Sequence, residues 1–459
     1  MSEKSFSEAD RLAAGPDFAP RARSAALGAR AQDIIPGGAH TYAKGEDQFP
    51  IQAPGFIARG KGCRVWDVDG NEFIEYGMGL RAVTLGHAFE PVVEAARAEL
   101  ANGANFTRPS PLEVEYAERL LEMLPGADMI KFAKDGSDTL DAAVRLSRAH
   151  TGRERIAICG DHPFFSTNDW FIGATDMIGG IPASARAQTV KFHYNDLASA
   201  QALFDRYPGE IACVVLEPAR TEEPAGRFLH ELKALCQKEG AVLIFDEMMT
   251  GLRWHMGGGQ AEYGVTPDLS TWGKALGNGF SIAALAGRRE LMELGGWLHK
   301  RERVFLLSTT HGAETHALAA GLAVLDSYQK LGVIDVLYAR GAALRTGIES
   351  LTAELGLEAY FGVVSRDCNL LFFTHDTDGK PSQPFRTLFM QELIRRRVMA
   401  PSFVVSYSHS EVDIARTLEI VGEALLVYKR ALEDGCDRYL VGRPVKPTFR
   451  RFGDLAGER

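Results

Sequence analysis

An acid and a lysine follow two neighbouring apolar runs, and together they define the chemistry that this chain can do. Asp246 ends the run Leu243-Ile-Phe-Asp246, and Lys274 follows Ser270-Thr-Trp-Gly. Taken singly, each has an ordinary interpretation, as a buried acid at a strand end and a lysine that faces solvent. As a pair they are the groups that pyridoxal 5'-phosphate (PLP) requires from a protein, a carboxylate for the pyridine nitrogen and an amine that can form a Schiff base.

A third element lies upstream, where Gly136 and Ser137 follow an apolar segment and open a stretch with apolar residues at helical spacing. Glycine permits a tight turn, and Ser or Asp caps a helix start. The free N–H groups of such a start suit a phosphate. Alone, this pattern is more often an ordinary helix cap. A phosphate cradle, an acid and a lysine in this order form a much more specific set.

These elements have the order found in a known family. The chain resembles the class III aminotransferases of PLP fold type I, and within them the glutamate-1-semialdehyde aminomutase branch, over residues 35–432. The matching stretches are Ile35-Pro-Gly-Gly38, Trp66-Asp-Val-Asp-Gly-Asn-Glu-Phe-Ile-Glu-Tyr76, Leu85-Gly-His87, Gly136-Ser137, Ala143-Val-Arg-Leu-Ser-Arg148 with Thr151-Gly-Arg153, Glu217-Pro218, Phe245-Asp-Glu-Met-Met-Thr-Gly-Leu-Arg253, Gly273-Lys-Ala-Leu-Gly-Asn-Gly279 and Thr309-Thr310.

The resemblance implies cofactor roles for particular residues. Lys274 would hold PLP and carry the proton, and Asp246 would keep the pyridine nitrogen protonated, with its own pKa lowered by that contact. His162 would stack on one face of the ring and Met248 would cover the other. For His162, a structural hydrogen-bonding role is the alternative.

Four further residues complete the implied cofactor site. Gly136 and Ser137 would bind the phosphate from their own chain, and Thr310 would reach the phosphate of a partner subunit, so that a homodimer shares its sites. Glu217 would join a polar network near the cofactor. Simple capping roles remain open for Thr310 and for Glu217.

The expected substrate pocket departs from the aminomutase pattern. The family's Ser and Arg after Pro-Gly-Gly correspond here to Thr41 and Lys44, and Leu80 with Arg81 beside it replaces a Trp. A lysine lacks the planar fork with which arginine grips a carboxylate. Glutamate 1-semialdehyde is therefore not the expected substrate, and an oxo-sugar or another polyol carbonyl is the expected acceptor.

The chain pattern predicts an α/β fold. Apolar runs alternate with helical stretches between about 110 and 320, as in a mostly parallel sheet between helices. A smaller α+β domain is expected from the N- and C-terminal segments. The expected bounds are 1–77 for the N-terminal segment, 78–325 for the large PLP-binding domain, 326–435 for the C-terminal part and 436–459 for a basic tail.

Composition excludes several classes of protein. A net charge of −9 without long basic runs argues against nucleic-acid and membrane-surface binding. The six cysteines lack CxxC spacing, so free thiols in the cytoplasm are expected rather than disulfides or a metal site. No apolar stretch is long enough to span a bilayer.

Three functions remain open. The first is an aminotransferase that moves an amino group from an amino-acid donor to a carbonyl acceptor. The second is an aminomutase that moves nitrogen within one molecule and needs no external donor. The third is a non-catalytic PLP-fold binding protein, against which the intact pair Asp246 and Lys274 argues.

Overall fold

The computed structural model describes residues 17–451, and these residues form two compact units. One unit contains residues 17–80, 85–88 and 335–451, and the other contains 81–84 and 89–334. The chain therefore enters each unit more than once. The domain bounds expected from the sequence stay predictions.

The strands are short and occur along both units. In chain order they are β1 (Ile57–Lys61), β2 (Arg64–Asp67), β3 (Glu72–Glu75), β4 (Met129–Ala133), β5 (Arg155–Cys159), β6 (Thr189–Phe192), β7 (Ile211–Leu216), β8 (Val242–Asp246), β9 (Leu269–Trp272), β10 (Ala283–Gly287), β11 (Phe361–Val364), β12 (Leu371–Thr374) and β13 (Val398–Met399).

The helices range from single turns to more than six turns. In chain order they are α1 (Ala22–Ile34), α2 (Met78–Arg81), α3 (Glu90–Leu100), α4 (Pro111–Leu121), α5 (Gly136–Thr151), α6 (Asp169–Ile172), α7 (Ala183–Ala187), α8 (Leu197–Arg206), α9 (Phe228–Glu239), α10 (Gly258–Glu262), α11 (Arg289–Met292), α12 (Thr315–Leu331), α13 (Val333–Leu355), α14 (Gln383–Arg395) and α15 (Glu411–Asp434).

The unit that contains Asp246 and Lys274 is built on a seven-stranded sheet in the order β4-β10-β9-β8-β7-β5-β6. All pairings between β9 and β6 are parallel, and only β10 runs antiparallel to its neighbours β4 and β9. Every residue of β7 and β8 is buried, as expected for parallel strands with both faces covered. The predicted mostly parallel sheet is confirmed.

The register brings the strand ends together at one edge of this sheet. Leu216 of β7 pairs with Phe245 of β8, and Asp246 pairs with Thr271 of β9. Because β4 and β9 are both antiparallel to β10, the carboxyl end of β4 lies at the same edge as the ends of β7, β8 and β9. Ligands of open α/β sheets bind outside such carboxyl ends.

Helix α5 starts at that edge, directly after β4. Its N-cap is Asp135, whose side chain accepts from the backbone N–H of Asp138. Its C-cap is Gly152, in the left-handed conformation with φ +70. Leu140, Ala143 and the other apolar residues at helical spacing are buried, so the predicted helix and its inward face are confirmed.

The turn signal Asp69-Gly-Asn71 predicts a pair of short antiparallel strands, and in the other unit it joins β2 to β3 in an antiparallel hairpin. Asp67 accepts from the backbone N–H groups of Asp69 and Asn71, and Gly70 between them has φ +91. Strands β1, β2, β3 and β13 form a four-stranded sheet, and β11 pairs with β12. The carboxylate of Asp69 accepts from the N–H groups of Arg23 and Ser24 at the start of α1.

The polar, Ala- and Arg-rich composition of residues 1 to about 34 predicts a helix on the surface or on a partner. A helix is present there as α1, and the part of the prediction before residue 17 lies outside the described residues. The six cysteines are free, and all but Cys436 are buried. Between residues 17 and 451, no helix is long and apolar enough to cross a membrane.

Candidate active site

Three predicted site residues lie at the ends of three adjacent parallel strands. Asp246 is the last residue of β8, Glu217 follows β7 directly, and Lys274 comes two residues after β9. Continuing the register from Leu216 and Phe245 sets Glu217 beside Asp246, so both side chains point to the same face of the sheet. Two carboxylates and an amine therefore meet at one sheet edge.

The backbone of Lys274 has an uncommon conformation. Its φ is +46, in the left-handed region that residues other than glycine rarely adopt, and it begins a short 3-10 turn over Lys274–Gly277. Burial lowers the pKa of Lys274, against the opposing charges of Asp246 and Glu217, and the cations Arg253 and Arg220 lower it further. A lowered pKa favours the neutral amine, which is the nucleophilic form.

The carboxylate of Asp246 is held in place inside the site. Its side chain is 3% exposed, and Oδ1 accepts from the N–H of Met248 at 2.9 Å and from the hydroxyl of Thr271 at 3.3 Å. Burial and the negative charge of Glu217 raise the pKa of Asp246 to about 7, while the charge of Lys274 opposes this rise. A cation placed against Asp246 would lower that pKa, as expected for a pyridinium nitrogen.

Glu217 and His162 are joined by a hydrogen bond. The backbone N–H of Glu217 donates to Nδ1 of His162 at 3.1 Å, so His162 is neutral at Nδ1 and carries its proton on Nε2. Burial lowers the pKa of His162 below its usual range, although the negative charge of Glu217 raises it in part. The ring is 6% exposed and its plane lies at 47° to that of Tyr194. His162 therefore has the structural hydrogen-bonding role that was the alternative from the sequence. Its role in stacking on the cofactor ring stays a prediction.

Met248 lies between the helix start and the end of β9. A Cβ added to Gly136 would stand 3.2 Å from Sδ and Cε of Met248, and one added to Gly273 would stand 2.6 Å from Sδ. Met248 also packs against Ala133 and Ala283. The structure thus brings Gly136, Met248 and the residue before Lys274 into contact, whereas a ring-covering role for Met248 stays a prediction.

The start of α5 has donors available for an anion. The first N–H groups of a helix have no intrahelical acceptor, which applies here to Gly136 and Ser137. The Ser137 hydroxyl accepts from the N–H of Thr167 at 3.2 Å, which leaves its proton to donate. Just before the helix, Lys134 Nζ donates to Glu314 Oε2 at 2.7 Å.

The remaining predicted residues do not belong to the strand ends that carry Glu217, Asp246 and Lys274. Thr310 lies in an exposed turn, and its carbonyl accepts from the Asn105 amide at 3.0 Å. Thr41 and Lys44 belong to the other unit, where Thr41 precedes the turn Tyr42–Lys44 and Lys44 is exposed. Their roles stay predictions.

Arg81 belongs to a strained segment. The residues Met78 to Arg81 have φ values of +42, +59, +59 and +68, a left-handed turn that includes Leu80. Such conformations cost about 1–3 kcal/mol each for residues other than glycine and concentrate at functional sites. The carbonyl of Arg81 accepts from Arg253 Nη2. A substrate role for Arg81 stays a prediction.

Three further charged residues adjoin Glu217, Asp246 or Lys274 or act on their charges, and none of them was identified as a site residue from the sequence. Arg253 is fully buried and donates to the carbonyl of Met249. Arg220 Nη1 donates to Glu217 Oε1 at 2.6 Å. Glu247 accepts from the N–H groups of Gly259 at 2.7 Å and Gln260 at 2.8 Å. The spacing of Glu217 and Arg220 was a visible signal, but an acid and an arginine three residues apart are common on any surface.

The side chains at this edge fit PLP. Oε2 of Glu217 is buried and has no hydrogen-bond partner among the described residues, and the carboxyl of Asp246 is buried beside it, so the site offers acceptors to a cationic or donating ring. A side chain at Gly136, where a phosphate would be held, would stand 3.2 Å from Met248 and press against it. Lys274 would supply the amine.

Comparison with known proteins agrees with this geometry. The family model for "Aminotransferase class-III" matches residues 41–357. The chain is 30% identical over 421 residues to a 3-aminobutyryl-CoA aminotransferase from Cloacimonas acidaminovorans, covering 90% of this chain and 98% of that protein. It is 33% identical over 414 residues to a glutamate-1-semialdehyde 2,1-aminomutase from Desulforamulus reducens, covering 85% and 94%.

A solved structure shows the same fold. The FumI protein of Sphingopyxis sp. MTA144, determined with PLP, superposes with a TM-score of 0.82 at 28% identity, over 92% of this chain and 99% of that one. The predicted PLP fold type I is confirmed, the chain is an enzyme and its cofactor is PLP. On the family model, the curated relatives and the fold together, this chain belongs to the class III aminotransferases.

Proposed function

We propose that this enzyme transfers an amino group from an amino-acid donor to a carbonyl acceptor. The observation that carries the proposal is the row of Glu217, Asp246 and Lys274 at the ends of three adjacent strands. Bound PLP supplies an electron sink for the carbanion formed at the substrate carbon.

The chain's own residues perform the remaining tasks. Lys274, which lies among two carboxylates and two arginines, holds a neutral amine that takes the proton from the substrate carbon and returns it. Asp246, fixed by Met248 and Thr271, holds a negative charge against the pyridine nitrogen. The N–H groups of Gly136 and Ser137 bind the phosphate and fix the position of the reacting atoms.

The acceptor is proposed to be an oxo-sugar or another polyol carbonyl. Its support is the stretch from Thr41 to Lys44 and the pair Leu80 and Arg81, which differ from the aminomutase pattern. Because a relative of similar identity acts, by its name, on 3-aminobutyryl-CoA, β-amino acyl donors belong in the same screen.

An aminomutase is the second candidate function. The observation that favours it is the 33% identity to a glutamate-1-semialdehyde 2,1-aminomutase over most of both chains. The two functions use the same Lys274 and Asp246 and differ in one requirement. An aminotransferase stops after one half-reaction unless donor and acceptor are both supplied, whereas an aminomutase turns over with one substrate.

A donor and acceptor screen tests the proposal. Amino acids are added singly to the holoenzyme, and the visible absorbance of the bound cofactor is followed. The proposal expects the absorbance to fall with a donor and to return only when a carbonyl acceptor is added. Turnover of glutamate 1-semialdehyde with no donor would support the aminomutase instead, and no response to any amine would contradict both.

The proposed assembly is a homodimer with shared sites, in the cytoplasm. Two features of the same chain segment support the dimer: Thr310 is exposed, and three large apolar side chains that precede it in the sequence, Trp297, Leu298 and Phe305, are 80%, 85% and 70% exposed. Exposed apolar groups of this size mark interaction surfaces. The six free cysteines support a reducing compartment.

A further inference from the structure

A cavity lined mainly by arginines lies in the unit formed by residues 17–80, 85–88 and 335–451. Its volume is about 510 Å³, and four of the side chains that line it are those of Arg64, Arg396, Arg397 and Arg416. These residues come from the start of β2, the turn after α14 and the helix α15. Pockets for small organic ligands enclose roughly 300–1,000 Å³. The cavity therefore has room for an organic molecule.

The charge on the wall of this cavity is predominantly positive. Against the four arginines, Glu72 is the one acid among the described residues that line it. Three further carboxylates pair with Arg64 and Arg396 but do not themselves line the cavity, and these are Asp413, Glu392 and Glu423. A concave wall with an excess of one charge attracts ligands of the opposite charge. The cavity is thus suited to an anion.

Arg397 differs from the other three arginines because it has no carboxylate partner. Within residues 17–451 its guanidinium forms no ion pair, and its buried Nη1 has no hydrogen-bond partner. Its side chain contacts the ring of Phe73 instead, with Cζ 5.6 Å from the ring centroid. Buried donors are normally paired, and one that is left without an acceptor is costly. The charge of Arg397 therefore remains to be balanced by a group from outside this part of the chain.

The backbone at Arg397 is strained as well. Helix α14 ends at Arg395, and two residues later Arg397 has φ +72, in the left-handed region. Glycine is the usual residue in this conformation just after a helix, because it has no Cβ. Strain of this kind concentrates at functional sites. Position 397 thus combines an unfavourable backbone conformation with an unpaired cation.

The other lining residues favour an organic anion over a bare ion. Ile74 and Ile420 give the wall an apolar part, and Asn71 adds a polar group. A guanidinium matches the oxygens of a phosphate with two parallel hydrogen bonds. A phosphate monoester carries about −1.5 to −2 charges at neutral pH, which suits the positive excess of the wall better than a single carboxylate does.

We propose that this cavity is a second ligand site, which binds a small organic phosphate through Arg397. Arg64 and Arg396, held by their carboxylates, present further positive charge to the same ligand. The residues that line the cavity all belong to the unit that does not contain Asp246 and Lys274, so the inference does not depend on the proposed function.

The test is a calorimetric titration of the holoenzyme, freed of excess PLP and in a buffer without phosphate. The probe is glycerol 3-phosphate, and glycerol, inorganic phosphate and succinate are titrated beside it. Wild type should bind glycerol 3-phosphate at one site per chain, more tightly than inorganic phosphate or succinate, and should not bind glycerol. Cofactor absorbance is followed in the same samples, because PLP also carries a phosphate.

Variants of Arg397 test its contact with the phosphate. Arg397→Gln should weaken the binding of glycerol 3-phosphate about 10- to 100-fold, through loss of a charged hydrogen-bonded contact. Arg397→Lys should restore part of the affinity, because it returns the charge without the planar fork. Arg438→Gln is the matched control and should bind as wild type does, because Arg438 is an exposed arginine of the same unit that does not line the cavity.

Arg397→Gly separates ligand binding from a structural role. Glycine adopts the left-handed conformation without strain, so the variant without ligand should unfold at a temperature no lower than that of wild type. Glycerol 3-phosphate in excess should raise the Tm of wild type by mass action and leave the Tm of Arg397→Gly unchanged.

Four outcomes would overturn the inference. They are no binding of glycerol 3-phosphate by wild type, tighter binding of succinate, release of PLP by glycerol 3-phosphate, and an equal rise in Tm in wild type and Arg397→Gly. An affinity of Arg397→Gln within about threefold of wild type would equally remove Arg397 from the site. If Arg397→Gln does not fold, Arg397→Gly carries the comparison, since its backbone conformation suits glycine.

Discussion

Asp246 is buried and its Oδ1 is fixed by Met248 and Thr271, so replacing it tests charge with little change of shape. We expect Asp246→Asn to retain PLP and to lose activity by about a hundredfold or more, because the amide cannot hold the pyridine nitrogen protonated. Steady-state kinetics and cofactor absorbance measure both effects. Asp205→Asn, an exposed acid of α8, is the control. A variant within threefold of wild type would place Asp246 outside the chemistry.

Also at the scale of single residues, we expect the buried carboxyl of Glu247 to make the stability of the folded protein depend on pH. Burial raises the pKa of Glu247 to about 7, with a smaller contribution from Asp246, against the bonds from Thr250, Gln260 and Gly259. A carboxyl whose pKa is raised on folding stabilises the fold below its usual pKa of 4.5, and this contribution is lost as the pH rises through 7.

Glu247→Gln removes this titration. Its stability relative to wild type should therefore improve between pH 5 and pH 7.5, by at most about 1.4 kcal/mol per pH unit. Urea unfolding of both proteins across that range measures the difference. Two parallel stability curves would show that Glu247 does not titrate in the folded protein.

At the scale of elements, the start of α5 and the turn after β8 meet through Gly136 and Met248. A Cβ at Gly136 would stand 3.2 Å from Met248, so the branched side chain of Gly136→Val must displace Met248 or fill the phosphate cradle. We expect at least a tenfold weaker PLP affinity, measured by titration of the stripped protein, because phosphate contacts are charge-assisted. Gly179→Val is the control, since nothing lies within 4 Å of its added Cβ.

The elements were the part of this enzyme most accessible from sequence. The runs that became β5, β7 and β8 are short and apolar, and a fully buried parallel strand needs no alternation to be recognised. Gly136, Asp246 and Lys274 could be predicted as site residues because their types and order match a chemical requirement, and their roles stay predictions. Arg220 and Glu247 were missed because their roles depend on tertiary neighbours that local sequence does not specify.

At the scale of the whole molecule, we expect two subunits to share their active sites, because Thr310 is proposed to reach the cofactor phosphate of the partner subunit. A Lys274→Ala chain mixed with a chain that carries a bulky replacement of Thr310 should regain activity. In the mixed dimer one site has both defects and the other has neither, so about half of a wild-type dimer's activity should return. Activity of each mixture is measured beside its oligomeric state by sedimentation. An active monomer, or no recovery although mixed dimers form, would refute shared sites.

The proposed active site depends above all on the identity of the lysine that holds the cofactor. The holoenzyme is treated with borohydride, which makes the lysine–cofactor bond permanent, and the labelled peptide is sequenced. We expect the label on Lys274, which has a left-handed backbone conformation just after β9, and no label in Lys274→Ala. Label on another lysine, or normal turnover by Lys274→Ala, would contradict it.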